Sequence, residues 1–78
     1  MNAQIFASRL NKLMEMQNKT PKDIEDYLNA PRAAVKAWMS GQKVPRWDKL
    51  FHLADYFHVS LAVLVGVEEI PPLEKQDL

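Results

Sequence analysis

TPKDIEDYLNAPRAAVKAWMSGQKVP, residues 20–45, is the stretch that decides the fold. Thr20 is suited to cap a helix, Pro21 to open its first turn, and Asp23 to close a T-x-x-D capping box. Ile24, Tyr27 and Leu28 recur at i, i+3, i+4, an apolar stripe about one helix face wide. Asn29 stands where a left-handed residue would break this helix, and Asn tolerates that conformation better than most residues. Pro31 restarts a helix because its fixed φ suits a first turn. Val35, Trp38 and Met39 repeat the stripe, and Gly41 supplies the stop. Two short helices joined by a tight corner make a helix-turn-helix.

With both stripes turned inward, the opposite face of the second helix carries Arg32, Ala33, Lys36 and Ala37. Cations set among small residues let a helix enter the DNA major groove, about 12 Å wide, without a bulky clash. The alternative from this stretch alone is a small helical corner with a solvated basic face.

The charge distribution bears on that choice. Net charge is zero over 78 residues, which by itself is no nucleic-acid footprint. Residues 1–66 hold nine Lys/Arg against six Asp/Glu, a net of +3, whereas residues 67–78 hold one Lys against four Asp/Glu, a net of −3. Six basic residues face three acidic ones between Lys19 and Arg46. Basic charge therefore gathers, modestly, where a DNA-facing surface would lie.

Outward from the central unit the chain reads as scaffold. Asn2 can cap a first helix running to about Gln17, with Phe6, Leu10 and Leu13 as its stripe, widened by Ile5 and Met14; Arg9, Lys12 and Glu15 take the outer side. Pro45 holds Val44 extended, so Gln42 to Arg46 is a loop, where Lys43 and Arg46 can meet phosphates or simply be solvated. A fourth helix spans about Arg46 to Phe57, and both Trp38 and Trp47 are expected in the core rather than stacked on a ligand. His52, Asp55 and His58 are poor metal ligands, because the two His lie about 120° apart on a helix. Ser60 can cap a last short helix, SLAVLVG, with Leu61 and Leu64 facing the core. Val63, Val65 and Val67 make that segment apolar nearly all round, and with Ile70 they are the expected homodimer contact. Residues 67–78 form an acidic tail or linker with paired prolines, strapped down by Ile70 and Leu73. The domain proper is then residues 1–66.

The absence of Cys removes disulfides, thiolate zinc sites and thiol nucleophiles. The apolar run from Leu61 to Val67 is too short to span a bilayer, and MNAQIFASRL lacks the regions of a signal peptide, so a cytoplasmic protein is expected. No nucleophile–base pair, metal shell or phosphate-cradling Gly-rich loop is visible, so neither an enzyme nor a cofactor is expected.

The ordered set Leu10, Ile24, Leu28, Val35, Trp38, Gly41, Pro45, Leu50, Ala54 and Phe57, closed by HVSLAVLVG, resembles the lambda-repressor/Cro family of helix-turn-helix domains, also called the xenobiotic-response-element type. The likeness runs from Phe6 to Gly66 and implies an all-α domain of five helices. It also implies a DNA-binding transcriptional regulator, a prophage or bacterial repressor, bound as a homodimer to double-stranded DNA. The helix from Pro31, about residues 31–40, would lie in the major groove. Arg32, Ala33, Lys36 and Ala37 fall on base-reading sites, with Arg32 suited to a bidentate pair with guanine. Thr20, Lys22, Gln42 and Lys43 fall on phosphate sites, and Arg46 where some members approach the minor groove.

Four departures from the family pattern involve five positions. Pro21 replaces a frequent Gln, Asn29 replaces the corner Gly, and Glu25 stands where a small residue usually lets the two motif helices cross. Glu25 must therefore turn aside toward a Lys or Arg, or open the crossing. Met14 and Met39 occupy the places of an Arg–Glu pair and are expected to touch, avoiding an unpaired buried charge. A protein-interaction module of antitoxin or adaptor type is the rival expectation, suited to the zero net charge and the alanine-rich reading face.

Overall fold

A computed structural model describes residues 2–70. Among these residues the chain forms five helices and no strand: α1 (Ala3–Met16), α2 (Pro21–Leu28), α3 (Arg32–Ser40), α4 (Trp47–Phe57) and α5 (Leu61–Leu64). The all-α, five-helix architecture is the one the sequence predicts. The tail beyond Ile70, with Leu73, lies outside the described residues.

Local chemistry sets most of the boundaries. Asn2 starts α1 by accepting from the Gln4 and Ile5 amides at 2.8 and 3.2 Å. Thr20 and Asp23 form the full capping box of α2: Thr20 Oγ1 accepts from the Asp23 amide at 3.2 Å, and the Thr20 amide donates to Asp23 Oδ2 at 2.8 Å. Asn29 closes α2 at φ 52°, and Gly41 closes α3 at φ 82°, both left-handed. Two further left-handed residues, Asn18 at φ 55° and His58 at φ 58°, end the turns after α1 and α4. His58 is thus a helix terminator, donating its amide to the Ala54 and Asp55 carbonyls.

All five helices contribute to one core. Phe6, Leu10, Leu13 and Met14 meet Ile24, Leu28, Val35 and Trp38, and Leu50, Leu53, Ala54, Phe57 and Leu64 complete it. Met39 packs against this same cluster. Ile5 does not join it and is about half exposed, a correction to the expected stripe. One residue before Phe6 is about 100° round the helix, outside the buried arc. Ile5 instead lies over Gly66, where a Cβ would collide with Ile5 Cγ2.

Trp47 is the larger correction: it is 62% exposed, beside an equally outward Phe51 at 6.1 Å between ring centroids. Leu50, Leu53, Ala54 and Phe57 already fill the face of α4 that meets the core. Phe51 is about 100° off that face, and Trp47 sits in the first turn, where the core ends.

Long-range polar bonds fix the helices to one another. Lys49 Nζ donates to the Leu28 carbonyl at 2.8 Å, capping α2 from α4. Asn11 Nδ2 donates to the Met39 carbonyl at 3.0 Å, joining α1 to the end of α3. Arg9, expected on the outer side, donates to the Glu68 carbonyl at 2.6 Å and the Val63 carbonyl at 3.4 Å, tying the segment after α5 to α1.

The capping box carries a pH signature. The hydrogen bond from the Thr20 amide, then that with the Thr20 side chain, lowers the Asp23 pKa below the usual carboxylate range. A carboxylate lowered in the native state stabilises fully above its unfolded pKa, and that contribution fades as pH falls through the native one. Thr20→Ala is expected to cost about 0.5–2 kcal/mol at neutral pH. Thr20→Ala leaves the stronger bond from the residue-20 amide in place. It is therefore Asp23→Asn, which removes the titrating carboxylate, that should flatten the acid limb of stability against pH, as read by urea denaturation at a series of pH values.

Candidate nucleic-acid interface

The geometry of the candidate surface follows from how α3 is held. Val35 and Trp38 are buried at 0% and 6% exposure, so the helix can present only its other faces. Arg32, Ala33 and Lys36 are exposed on it, and Ala37 is half-buried. The Asn11 bond to Met39 and the left-handed Gly41 fix its C-terminal end. Nothing in the sequence pattern singles out Asn11, because a polar residue on the rim of an apolar stripe normally reads as solvated.

The flanking cations are arranged on two sides. At the start of α2 the Thr20 oxygen is engaged in the capping box, yet its own O–H remains available to donate. Lys22 Nζ pairs with Asp26 Oδ1 at 3.0 Å on an open surface, and this hydrogen bond, with the charge behind it, raises the Lys22 pKa. An exposed i, i+4 pair is weak enough to be exchanged for a phosphate. After α3, Gln42 and Lys43 turn on hydrogen bonds from their amides to the Ala37 carbonyl at 3.0 and 3.3 Å. Gln42, Lys43 and Arg46 are exposed, while Pro45 between them is buried and anchors the loop. Among the described residues no carboxylate lies within 4.0 Å of Arg32, Lys36, Lys43 or Arg46.

Between α2 and α3 runs a cleft of about 410 Å³, lined by Asn11, Pro21, Glu25, Arg32, Lys36, Met39 and Ser40. Of the two outcomes expected for Glu25, pairing with a Lys or Arg is not the one seen. The half-buried Glu25 makes no ion pair within 4.0 Å among the described residues, and open space stands beside it.

The four residues expected at a dimer contact separate. Val63 is only 4% exposed and leaves no free apolar surface, which is a correction, while Ile70 packs on the core and is half-buried. After Gly66 the chain turns back, and the Val67 and Glu68 amides donate to the Ala62 carbonyl at 2.8 and 3.1 Å, bringing both residues beside Val63. Val65 is half-buried, and among the described residues Val67 is the most exposed large apolar one at 79%. His52, Asp55 and His58 are not gathered: among the described residues no group of three His, Asp or Glu is placed to hold a metal ion. No helix among them is long and apolar enough to cross a membrane.

No protein-family model matches the sequence. The fold is similar to the crystal structure of a transcriptional regulator from Listeria innocua, with a TM-score of 0.75 and 34% identity over 92% of this chain and 68% of that one. It is also similar to the solution structure of the SOS-response transcriptional repressor LexA from Eubacterium rectale, with a TM-score of 0.77 and 25% identity over 92% of this chain and 82% of that one. Among curated proteins, the HTH-type transcriptional activator BcrR of Enterococcus faecalis is 26% identical over 72 residues; the match takes in 92% of this chain but spans only 35% of the relative's length. With two helices meeting at the left-handed Asn29 and these similarities across nearly its whole length, the chain belongs to the helix-turn-helix family of transcriptional regulators.

Proposed function

We infer that the chain is a sequence-specific double-stranded DNA-binding regulator of the lambda-repressor type, with α3 in the major groove. The observation that carries this is the division of α3 into a buried side, Val35 and Trp38, and an exposed side, Arg32, Ala33 and Lys36. Arg32 and Lys36 read base edges, with Ala33 and Ala37 giving clearance or touching a thymine methyl. Thr20, Lys22, Gln42 and Lys43 hold phosphates, and Arg46 reaches toward the minor groove. Residues 1–66 suffice for this, and residues 67–78 act as tail or linker. The protein works in the cytoplasm, at the nucleoid, and is a binding protein rather than an enzyme.

A bacterial or prophage repressor is the role we propose; both a repressor, LexA, and an activator, BcrR, are among the similar proteins. Two-fold symmetric half-sites would lie about 34 Å apart, bound by a homodimer. Val67 is the apolar group most open to a second copy, with Val65 beside it.

A salt titration on arbitrary duplex DNA is the test. Phosphate-driven binding must weaken linearly on a log–log plot with a slope of about −0.9 per phosphate contacted. The exposed Trp47–Phe51 pair supports the rival protein-interaction module. Absence of binding at about 50 mM salt would favour that rival.

A further inference from the structure

Residues from both helices line the α2–α3 cleft together. On α3, Arg32, Lys36 and Ser40 follow at i, i+4, i+8; on α2, Pro21 and Glu25 follow at i, i+4; and all five line the same space. The two cations assigned to base reading therefore share a cleft with a carboxylate. Apolar walls from Pro21 and Met39 leave the field between these charges less screened than over open water.

We propose that Glu25 is a specificity-determining residue, restraining sequence-independent DNA binding by opposing the charge of Arg32 and Lys36 across the cleft. A random duplex offers these cations only phosphate attraction, which a neighbouring carboxylate weakens. An operator offers Arg32 directional base-edge partners, whose hydrogen bonds do not depend on net charge in the same way. The carboxylate thus lowers the background more than the signal. This rests on the DNA-binding reading above.

The experiment measures affinity of the full chain for a random-sequence duplex of about 30 base pairs across a salt series. Glu25→Gln keeps shape and removes charge, and is expected to bind about 1.5- to fivefold more tightly at low salt. Glu25→Ala should gain similarly, because both variants lose the same charge. In an Arg32→Ala, Lys36→Ala background the gain from Glu25→Gln should largely disappear. Wild-type protein that binds no duplex at low salt defeats the DNA reading itself. Binding by wild type with no gain in Glu25→Gln, a gain confined to Gln, or a gain that persists without Arg32 and Lys36, defeats only the role assigned to Glu25.

Discussion

Trp38→Ala is expected to lower the free energy of unfolding by about 3–5 kcal/mol, the range for truncating a large buried aromatic side chain. Trp38 is 6% exposed and sits in the cluster that joins α1, α2 and α3. Its loss opens a cavity beneath the helix that carries Arg32 and Lys36. Small domains have little stability in reserve, with about 5 kcal/mol a common lower figure, so the variant should be largely unfolded near physiological temperature. Trp47→Ala is the internal comparison. At 62% exposure it loses little beyond its contact with Phe51, and a change below about 1 kcal/mol is expected. Urea denaturation of both variants decides the matter. Equal costs would mean that the inner and outer tryptophans have been wrongly told apart.

The same contrast marks how far the sequence could be read. Features governed by one or two neighbouring residues were legible: the Thr20–Asp23 box, the left-handed Asn29 and Gly41, and the Ser60 cap of α5, whose oxygen accepts from the Val63 amide at 3.2 Å. The inward turn of Val35 and Trp38 was legible too, because a short helix with one apolar stripe has one stable orientation. α4 carries more apolar residues than one face can hold. Periodicity alone could not say that Leu50, Leu53, Ala54 and Phe57 would win the core while Trp47 and Phe51 stayed out. That choice depends on where α1 and α2 leave space.

Bonds between residues far apart in sequence were invisible for the same reason. Arg9 to Glu68, Asn11 to Met39 and Lys49 to Leu28 each join a common surface residue type to a backbone carbonyl on another element. Val63 was misplaced because Gly66 returns the chain beside α5, which helical spacing past the glycine could not reveal. In the candidate site, residue identities and exposure on α3 were readable. The cleft that groups Arg32 and Lys36 with Glu25 was not, since it arises from the way two helices cross.

Arg32→Ala is expected to reduce affinity for the protein's own operator by about 1–3 kcal/mol, a loss of roughly five- to 150-fold, and to relax selectivity at one base pair. The exposed guanidinium in the first turn of α3 has no carboxylate within 4.0 Å among the described residues, so its five donors can serve an external acceptor. A planar fork matches guanine O6 and N7, which no ammonium can do, so Arg32→Lys should recover charge but not selectivity. Lys43→Ala provides the opposite signature. On the loop after Gly41 it is placed for phosphate, and its removal should weaken every duplex alike while reducing the salt slope by about one. Operators for this comparison come from selection on a random duplex pool by the wild-type protein. An Arg32→Ala variant that selects the same consensus at full strength would remove Arg32 from base reading. Selectivity would then have to come from Lys36 or from DNA shape, because Ala33 and Ala37 carry no polar side-chain group to offer a base.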